Sequence, residues 1–566
     1  MNRARMVFGL IKGIMGLLVD EYRRGTLLAS LKILRERKGF ALADDLSHSE
    51  LLEEKARRNK TRAFLYFKDR VFSYQEMNQN VNRLANFLYS LGARPGQFLT
   101  IMMKNSPRWL DAFFAAQRLG MCAVPVNIAL RGDQLVYIFN HSEADFICTD
   151  FDLLPYLEKI KEKITKPVKI IVNLENAPED FSLSEEYISM EQAYRSEVSQ
   201  EKPPVSPRAG DPCLLMYTSG TTGLPKGVVT RYGKTGIKVM GVLARAMLRP
   251  SDIYYTCLPL FHANALLLTV TNALLADARV ALSQKFSASK FWDEVSKYNA
   301  TVFNAIGAMI PILMKQPQKP SEKTHKARYV LSAACPADMW EGFEKRFNVK
   351  ILEGYGAVDG GGFITLNFGQ APVGSLGKPI GRSRYRVVDE NMNDVPPGIP
   401  GELIYYVGEQ KESSVEYFKD QRATSEKIKD GWFHTGDMVY KDEKGFLYFV
   451  GRKTESIRKK GENISEYEVE HAILQHPDIL ESAVFAVPSE LAEDEVMACV
   501  VPVEGKTLDP RELKEFLKDH LAKFAIPRYW RILPELPKTE TQRVIKRLLK
   551  QEGITPDTID LQERKG

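Results

Sequence analysis

From Ser73 to about residue 370 the apolar positions alternate between helical spacing and short unbroken runs, and few folds accept a chain written that way. Ser73 with Glu76 reads as a capping box. Met77, Val81, Leu84, Phe87, Leu88 and Leu91 then recur on one helical face until Gly92, and Phe98 to Met102 follows as a buried strand. Repetition of this unit predicts α/β layers around parallel sheets. From about 383 to 450 the pattern changes to short strands with turns such as Val395-Pro-Pro-Gly398. After Gly451 a charged stretch, Lys453 to Lys460, leads into a compact α+β pattern. Its marks are a helix capped by Ser465 with Glu468, strands at 482–487 and 496–503, and a helix opened by Asp509-Pro510.

The expected fold class is therefore α/β: a large N-terminal domain of layered parallel sheets with helices and a small β-rich subdomain, hinged to a small mobile α+β C-terminal domain. The expected divisions are a basic amphipathic segment at 1–40, a large domain at 41–451 and the small domain at 452–566. A length of 566 residues supports about three to four folding units and rules out a single small binding module. With 44% hydrophobic and 27% charged residues the composition is that of a globular chain, which excludes disordered and collagenous classes. None of the six cysteines lies in C-x-x-C spacing, so a reducing, cytoplasmic setting without structural zinc is expected.

The net charge of +6 is concentrated at one end. Residues 1–40 hold nine Lys/Arg and three acids, and the rest balances at 69 of each sign, leaving no basic face for nucleic acid. Within that segment, Met6 to Val19 is apolar apart from glycines and Lys12. It is short for a bilayer span of about 20 residues, and Asp20-Glu-Tyr-Arg-Arg24 is no signal-peptide cleavage site. The expectation is a helix in peripheral contact with the cytoplasmic face of a membrane; a helix packed on the protein's own surface is the other reading. Ile253 to Ala276 is also uncharged, but Pro259, His262, Asn264 and Asn272 make it a buried strand, a turn and a core helix.

The stretch that bears most directly on chemistry is Tyr217-Thr-Ser-Gly-Thr-Thr-Gly-Leu-Pro-Lys-Gly227. Three glycines and four aliphatic hydroxyls in eleven residues form a turn able to surround phosphate oxygens, with Lys226 as a point charge. Gly/Ser/Thr clusters are more often plain solvated loops. Lys226 lies between Pro225 and Gly227 rather than before Ser or Thr, which disfavours a P-loop NTPase.

This loop resembles the nucleotide-phosphate signature of the adenylate-forming superfamily, which includes acyl-CoA synthetases. Further similar motifs follow in order: Leu258-Pro-Leu-Phe-His262, Glu353-Gly-Tyr-Gly356, Thr435-Gly-Asp437, Gly451-Arg452, Lys460-Gly-Glu-Asn463 and Leu536-Pro-Lys-Thr539, so that the resemblance spans residues 50–550. Lys285-Phe-Ser-Ala-Ser-Lys-Phe-Trp292 and Asn299-Ala-Thr-Val-Phe303 look like the fatty acid transport protein and very-long-chain acyl-CoA synthetase branch, whereas the C-terminal part is closer to ordinary acyl-CoA and carnitine-type CoA ligases.

The resemblance implies activation of a carboxylic acid, a long-chain fatty acid on the branch reading, by ATP and Mg²⁺ to an acyl adenylate and then to its coenzyme A thioester. Thr218, Ser219, Gly220, Thr221, Thr222, Gly223 and Lys226 are implied to hold the phosphates, Thr222 and Lys226 with a catalytic part. Gly354, Tyr355 and Gly356 lie against adenine, Asp437 accepts from the ribose hydroxyls, and Arg452 assists it. His262 and Gly307 border the acyl group, with Ala263, Leu266, Val302, Ile306 and Met309 either lining an alkyl channel or forming plain core. Gly461 and Glu462 belong to the CoA tunnel formed on domain rotation. Taken singly, Asp437 reads equally as a turn cap, His262 as a core histidine and Tyr355 as core.

Four positions depart from the family pattern. Val358 and Asp359 stand where Thr-Glu is usual, so a hydroxyl is lost and the Mg²⁺ carboxylate is shorter. Thr454 stands at the hinge in place of Asp or Lys. Arg543 occupies the place of the adenylation lysine, with Lys546 three residues on as the alternative. Val358 and Arg543 together support a rival reading, a catalytically weakened member that binds acyl chains or nucleotide in lipid uptake at a membrane. An enzyme loading a carrier protein is disfavoured, because no carrier domain follows in this sequence.

Overall fold

The computed structural model describes residues 46–561 apart from 219–224, 307–308, 334, 358, 361, 368, 370, 380–383, 409–415, 454–455, 460–461, 489–493 and 540–541. The expected amphipathic segment at 1–40 lies outside the described residues. Among those described, no helix is long and apolar enough to cross a membrane.

Two large sheets make the main body. One has seven strands in the order Ile188–Ser189, Lys169–Asn173, Phe146–Asp150, Phe98–Met102, Cys122–Pro125, Pro212–Thr218 and Lys226–Arg231, parallel until the last strand, which folds back on Pro212–Thr218. The other has nine strands, with parallel pairing from Ala63–Phe67 through Arg279–Leu282, Ile253–Thr256, Val302–Ile306 and Tyr329–Ala333 to Lys350–Ala357, and antiparallel strands at both edges. Strands buried on both faces must be apolar throughout, and Phe98–Met102 is buried at every position.

The helix predicted after Ser73 spans Tyr74–Ser90, and its capping box is formed as read: Ser73 Oγ accepts from Glu76 N while Glu76 accepts from Ser73 N. Met77, Val81, Leu84 and Leu88 are fully buried in the core shared by both sheets, each adding about 1.5–3 kcal/mol of hydrophobic stabilisation. The neutral stretch 253–276 forms the strand Ile253–Thr256 as predicted. The core helix after it begins as a π-helix, Asn264–Thr271, a form that periodicity does not announce.

A five-stranded antiparallel sheet, with Tyr385–Val388, Gly401–Tyr406, Trp432–Lys441 and Leu447–Arg452 as its longer strands, accounts for the β-rich pattern after 383. The small domain is built on Ile479–Pro488, Asp494–Pro502, Tyr529–Ile532 and Ile559–Asp560. Its alternate residues serve two cores: Val484, Val496, Ala498 and Val500 on one face, Ala483, Phe485, Met497 and Cys499 on the other. The helix Glu466–Leu474 has Ser465 as its N-cap, and Asp509 caps Pro510–Leu517, both as the sequence predicts.

Candidate active site

Thr218 and Tyr355 lie near the carboxyl ends of strands in the two large sheets, where open α/β sheets present their ligand-binding crevices, whereas Asp437 and Arg452 come from the antiparallel five-stranded sheet. Pro212–Thr218 leads to the segment expected to hold phosphate, and the return strand begins at Lys226, paired with Thr218. Thr218 Oγ1 donates to the Lys226 carbonyl at 3.3 Å, closing the base of the loop. Ser219, Gly220, Thr221, Thr222 and Gly223 lie outside the described residues.

Asp437 is the most constrained group. Glu402 pairs with Met438 and Ile404 with His434, so that Leu403 alone spans Thr435, Gly436 and Asp437 in a bulge that re-aims the Asp437 side chain. Gly436 takes φ +73°, a conformation that favours glycine. Thr435 Oγ1 donates to the Leu403 carbonyl at 2.7 Å and accepts from Asp437 N at 2.9 Å. Glu402 accepts from Gly436 N at 3.1 Å and is flanked by His434 and Lys453. Burial alone raises the Glu402 carboxyl, but its hydrogen bonds to His434 and Lys453 bring it down to about 2, so it is held ionised beneath the bulge.

Asp437, 5% exposed, accepts from the Tyr355 hydroxyl through Oδ2 at 2.5 Å. Arg452 lies opposite it in the ladder, with Nε 3.1 Å from Oδ1. That approach gives an ion pair without hydrogen-bond alignment, so among the described residues Oδ1 has no hydrogen-bond donor. Burial raises the Asp437 carboxyl while Arg452 and Tyr355 oppose the rise. A buried carboxylate oxygen lacking a donor fits a ligand hydroxyl.

Asp359 accepts from the Tyr417 hydroxyl at 2.6 Å, with Lys427 Nζ 4.0 Å away. Lys226 Nζ lies 5.5 Å from the centre of the Tyr417 ring, and Lys427 also donates to the carbonyls of His434 and Thr435. This chain of contacts brings Lys226, Asp359, Tyr355, Asp437 and Arg452 into one region. Neither Tyr417 nor Lys427 is marked as a site residue by the sequence. Tyr417 bonds Asp359 across 58 residues, and no local pattern marks it.

His262 stands apart from that chain of contacts. Its ring packs on Phe261 at 4.6 Å, its Nε2 is buried without a partner among the described residues, and burial brings its imidazole down to about 4, so it is neutral at pH 7. The proposed alkyl lining divides: Leu266, Val302 and Met309 are fully buried core, and only Ala263 and Ile306 keep partial exposure. Beneath them Asn304, 1% exposed, donates to Asn264 and to Thr269 Oγ1 at 2.9 Å and accepts from Tyr254, tying the π-helix to the strand Val302–Ile306. Gly307, Val358, Thr454 and Gly461 lie outside the described residues. Glu462 is described by its backbone only, in a strand paired with Lys459, while Gly354 and Gly356 lie on Lys350–Ala357 beside Tyr355.

Arg543 is exposed, and its backbone N–H donates to Thr539 Oγ1 at 3.1 Å. Lys546 has other work. Its ammonium lies 2.9 Å from Glu466 and 2.7 Å from Glu470, with Lys550 also on Glu466. Glu466 is almost wholly buried, so Lys546 neutralises carboxylates inside the small domain. The two domains meet where Ser465 Oγ donates to the Val450 carbonyl at 2.8 Å, where Tyr467 packs edge-on to Phe449 at 5.3 Å, and where His471 Nε2 lies 3.2 Å from Asp338.

The sheets and the buried carboxylate define an adenylate-forming enzyme. The chain matches the AMP-binding enzyme family over residues 52–409 and the AMP-binding enzyme C-terminal domain over 468–543, and it belongs to that family of CoA ligases. It is 32% identical to the crotonobetaine/carnitine–CoA ligase of Salmonella paratyphi B over 492 residues, covering 85% of this chain and 93% of the relative. The Proteus mirabilis protein of the same description is 32% identical over 493 residues, with the same coverage. Among solved structures, the anthranilate CoA ligase AuaEII in complex with anthranoyl-AMP superposes with a TM-score of 0.80 at 23% identity, over 90% of this chain and 98% of that one. An o-succinylbenzoate CoA synthetase from Bacillus subtilis, in complex with ATP and magnesium ion, gives 0.73 at 25% identity, over 88% and 99%.

Proposed function

We propose that the protein converts a carboxylic acid to its CoA thioester in two steps. The acid's carboxylate attacks the α-phosphorus of ATP, a P–O bond forms as the bond to pyrophosphate breaks, and an acyl adenylate results. The CoA sulfur then attacks the acyl carbonyl and AMP leaves, its phosphate taking the electron pair. Such displacements demand alignment and charge neutralisation more than a covalent nucleophile. In this reading Asp437 anchors the ribose through its undonated Oδ1, Tyr355 stands against the base, Lys226 faces the phosphates, and Arg543 brings charge to the carboxylate from the small domain. Mg²⁺ bound near Asp359 supplies charge neutralisation on the phosphates. The observation that carries the reading is the buried Asp437 with one oxygen left for a ligand.

For the acid, a compact molecule has the better support. Leu266, Val302 and Met309, three of the five proposed channel residues, are fully buried core, and the buried Asn304 is tied to Asn264 and Thr269. The relatives named for crotonobetaine/carnitine agree with a small acid. A long-chain fatty acid is the second reading, favoured by the partly exposed Ala263, Leu267, Leu268 and Ile306 beside the same site. Turnover with ATP, CoA and a panel of acids from four to eighteen carbons, aliphatic, aromatic and betaine-like, tests it. Preference for short acids supports the compact reading; a rise in kcat/KM with chain length overturns it.

A further inference from the structure

Residues 416–418 run antiparallel to the strand that follows the phosphate loop. Val229 N donates to the Glu416 carbonyl at 3.0 Å, Phe418 N donates to the Gly227 carbonyl at 2.7 Å, and Arg231 grips Glu416 with two hydrogen bonds at 2.8 and 2.5 Å. Phe418 is wedged between Phe98 and His141, with ring centres 5.4 and 5.6 Å away. Tyr417 between them is 3% exposed, and its N–H donates to Thr424 Oγ1 at 3.1 Å. Its side chain is therefore fixed on a rigid backbone, beside the two groups assigned above to the triphosphate end.

We propose that Tyr417 is a positioning residue that couples these two groups: its hydroxyl aims Asp359 and its ring seats the Lys226 ammonium. The inference rests on the proposed ATP-dependent function. Aspartate has one methylene less than the glutamate usual there, so its reach depends on which way the short carboxylate is turned. The Tyr417 hydroxyl donates to Oδ2 at 2.6 Å, fixing the carboxylate plane and leaving Oδ1 for a cation. Lys427 Nζ lies 4.0 Å from the same Oδ2, adding positive charge there from beyond hydrogen-bond distance. The face of the same ring lies 5.5 Å from Lys226 Nζ, within cation–π range, which holds the ammonium beside the loop rather than in solvent. One side chain thereby sets the spacing between the carboxylate that serves Mg²⁺ and the lysine that serves phosphate.

The test separates the hydroxyl from the ring. ATP binding is measured calorimetrically without acid, in EDTA and across a Mg²⁺ series, for wild type, Tyr417→Phe and Tyr417→Leu, with thermal melts run alongside. Tyr417→Phe is expected to lower the gain in ATP affinity on adding Mg²⁺ about tenfold, the order of one hydrogen bond to a charged group. Tyr417→Leu is expected to lose affinity in EDTA as well, because Lys226 loses its seat. A folded Tyr417→Phe protein with the wild-type Mg²⁺ response overturns the assignment alone, as does an equal loss with and without Mg²⁺ in both variants. Wild-type protein that binds no ATP at any Mg²⁺ concentration overturns the assignment and the function it rests on together.

Discussion

Asp437 and Arg452 face each other across a single antiparallel ladder, their side chains 3.1 Å apart, so the ion pair beside the proposed ribose site is set by strand register rather than by a flexible loop. The consequence is electrostatic. Burial raises the Asp437 carboxyl, and Arg452 is the first of the groups that restrain it.

Arg452→Met removes that restraint, so Asp437 protonates at higher pH. A protonated Asp437 is a weaker acceptor for ribose hydroxyls, and AMP affinity should fall as pH drops, with the fall beginning at higher pH in the variant than in wild type. Calorimetric AMP titrations between pH 5 and 8 check this; superimposable pH profiles contradict it.

Arg543→Ala and Lys546→Met should separate catalysis from stability. Removing Lys546 leaves the buried Glu466 and the half-buried Glu470 beside each other with one fewer cation, at a cost of about 3 kcal/mol to the small domain. Arg543 is exposed, and its loss should leave the melting temperature within about 1 °C while suppressing acyl-adenylate formation at least tenfold. Thermal melts alone decide the first half; equal melting temperatures for Lys546→Met and wild type contradict the burial argument.

His262 gives a pH signature of its own. Burial places its folded-state value at about 4, against 6.5 for the ordinary group. Between those values the unfolded chain binds the extra proton, so stability falls as pH is lowered from 6.5 towards 4 and this contribution is flat above and below. The contribution is on the order of 3 kcal/mol at most. His262→Phe should show a shallower loss of melting temperature across that window, and an identical slope contradicts the assignment.

Lys226→Ala should weaken ATP binding about tenfold or more while the fold persists, since Thr218 and Lys226 are joined through backbone pairing that alanine keeps. Calorimetry and a melt on the same sample check both halves.

Much of this is legible in the amino-acid sequence. Capping boxes and unbroken apolar runs are local, so the helix after Ser73 and the strand Phe98–Met102 follow from neighbouring residues alone. The Thr435-Gly-Asp437 motif was legible as a motif, but the bulge that turns Asp437 toward Tyr355 depends on the partner strand Gly401–Tyr406. Tyr417 and Asn304 escaped notice because their partners are remote in sequence, and neither a lone tyrosine nor an asparagine within an apolar run signals a site. The ion pairs of Lys546 are illegible for a related reason: its positive charge is visible in the sequence, whereas its nearness to the buried Glu466, 80 residues away, is not.

The central claim is that a carboxylate displaces pyrophosphate from ATP at this site. Acid-dependent exchange of labelled pyrophosphate into ATP measures that step alone, without CoA. The account predicts exchange that requires both Mg²⁺ and a cognate acid and is lost in Asp437→Ala. Tight Mg²⁺–ATP binding with no exchange for any acid in the panel would contradict it and favour a nucleotide-binding protein that no longer adenylates.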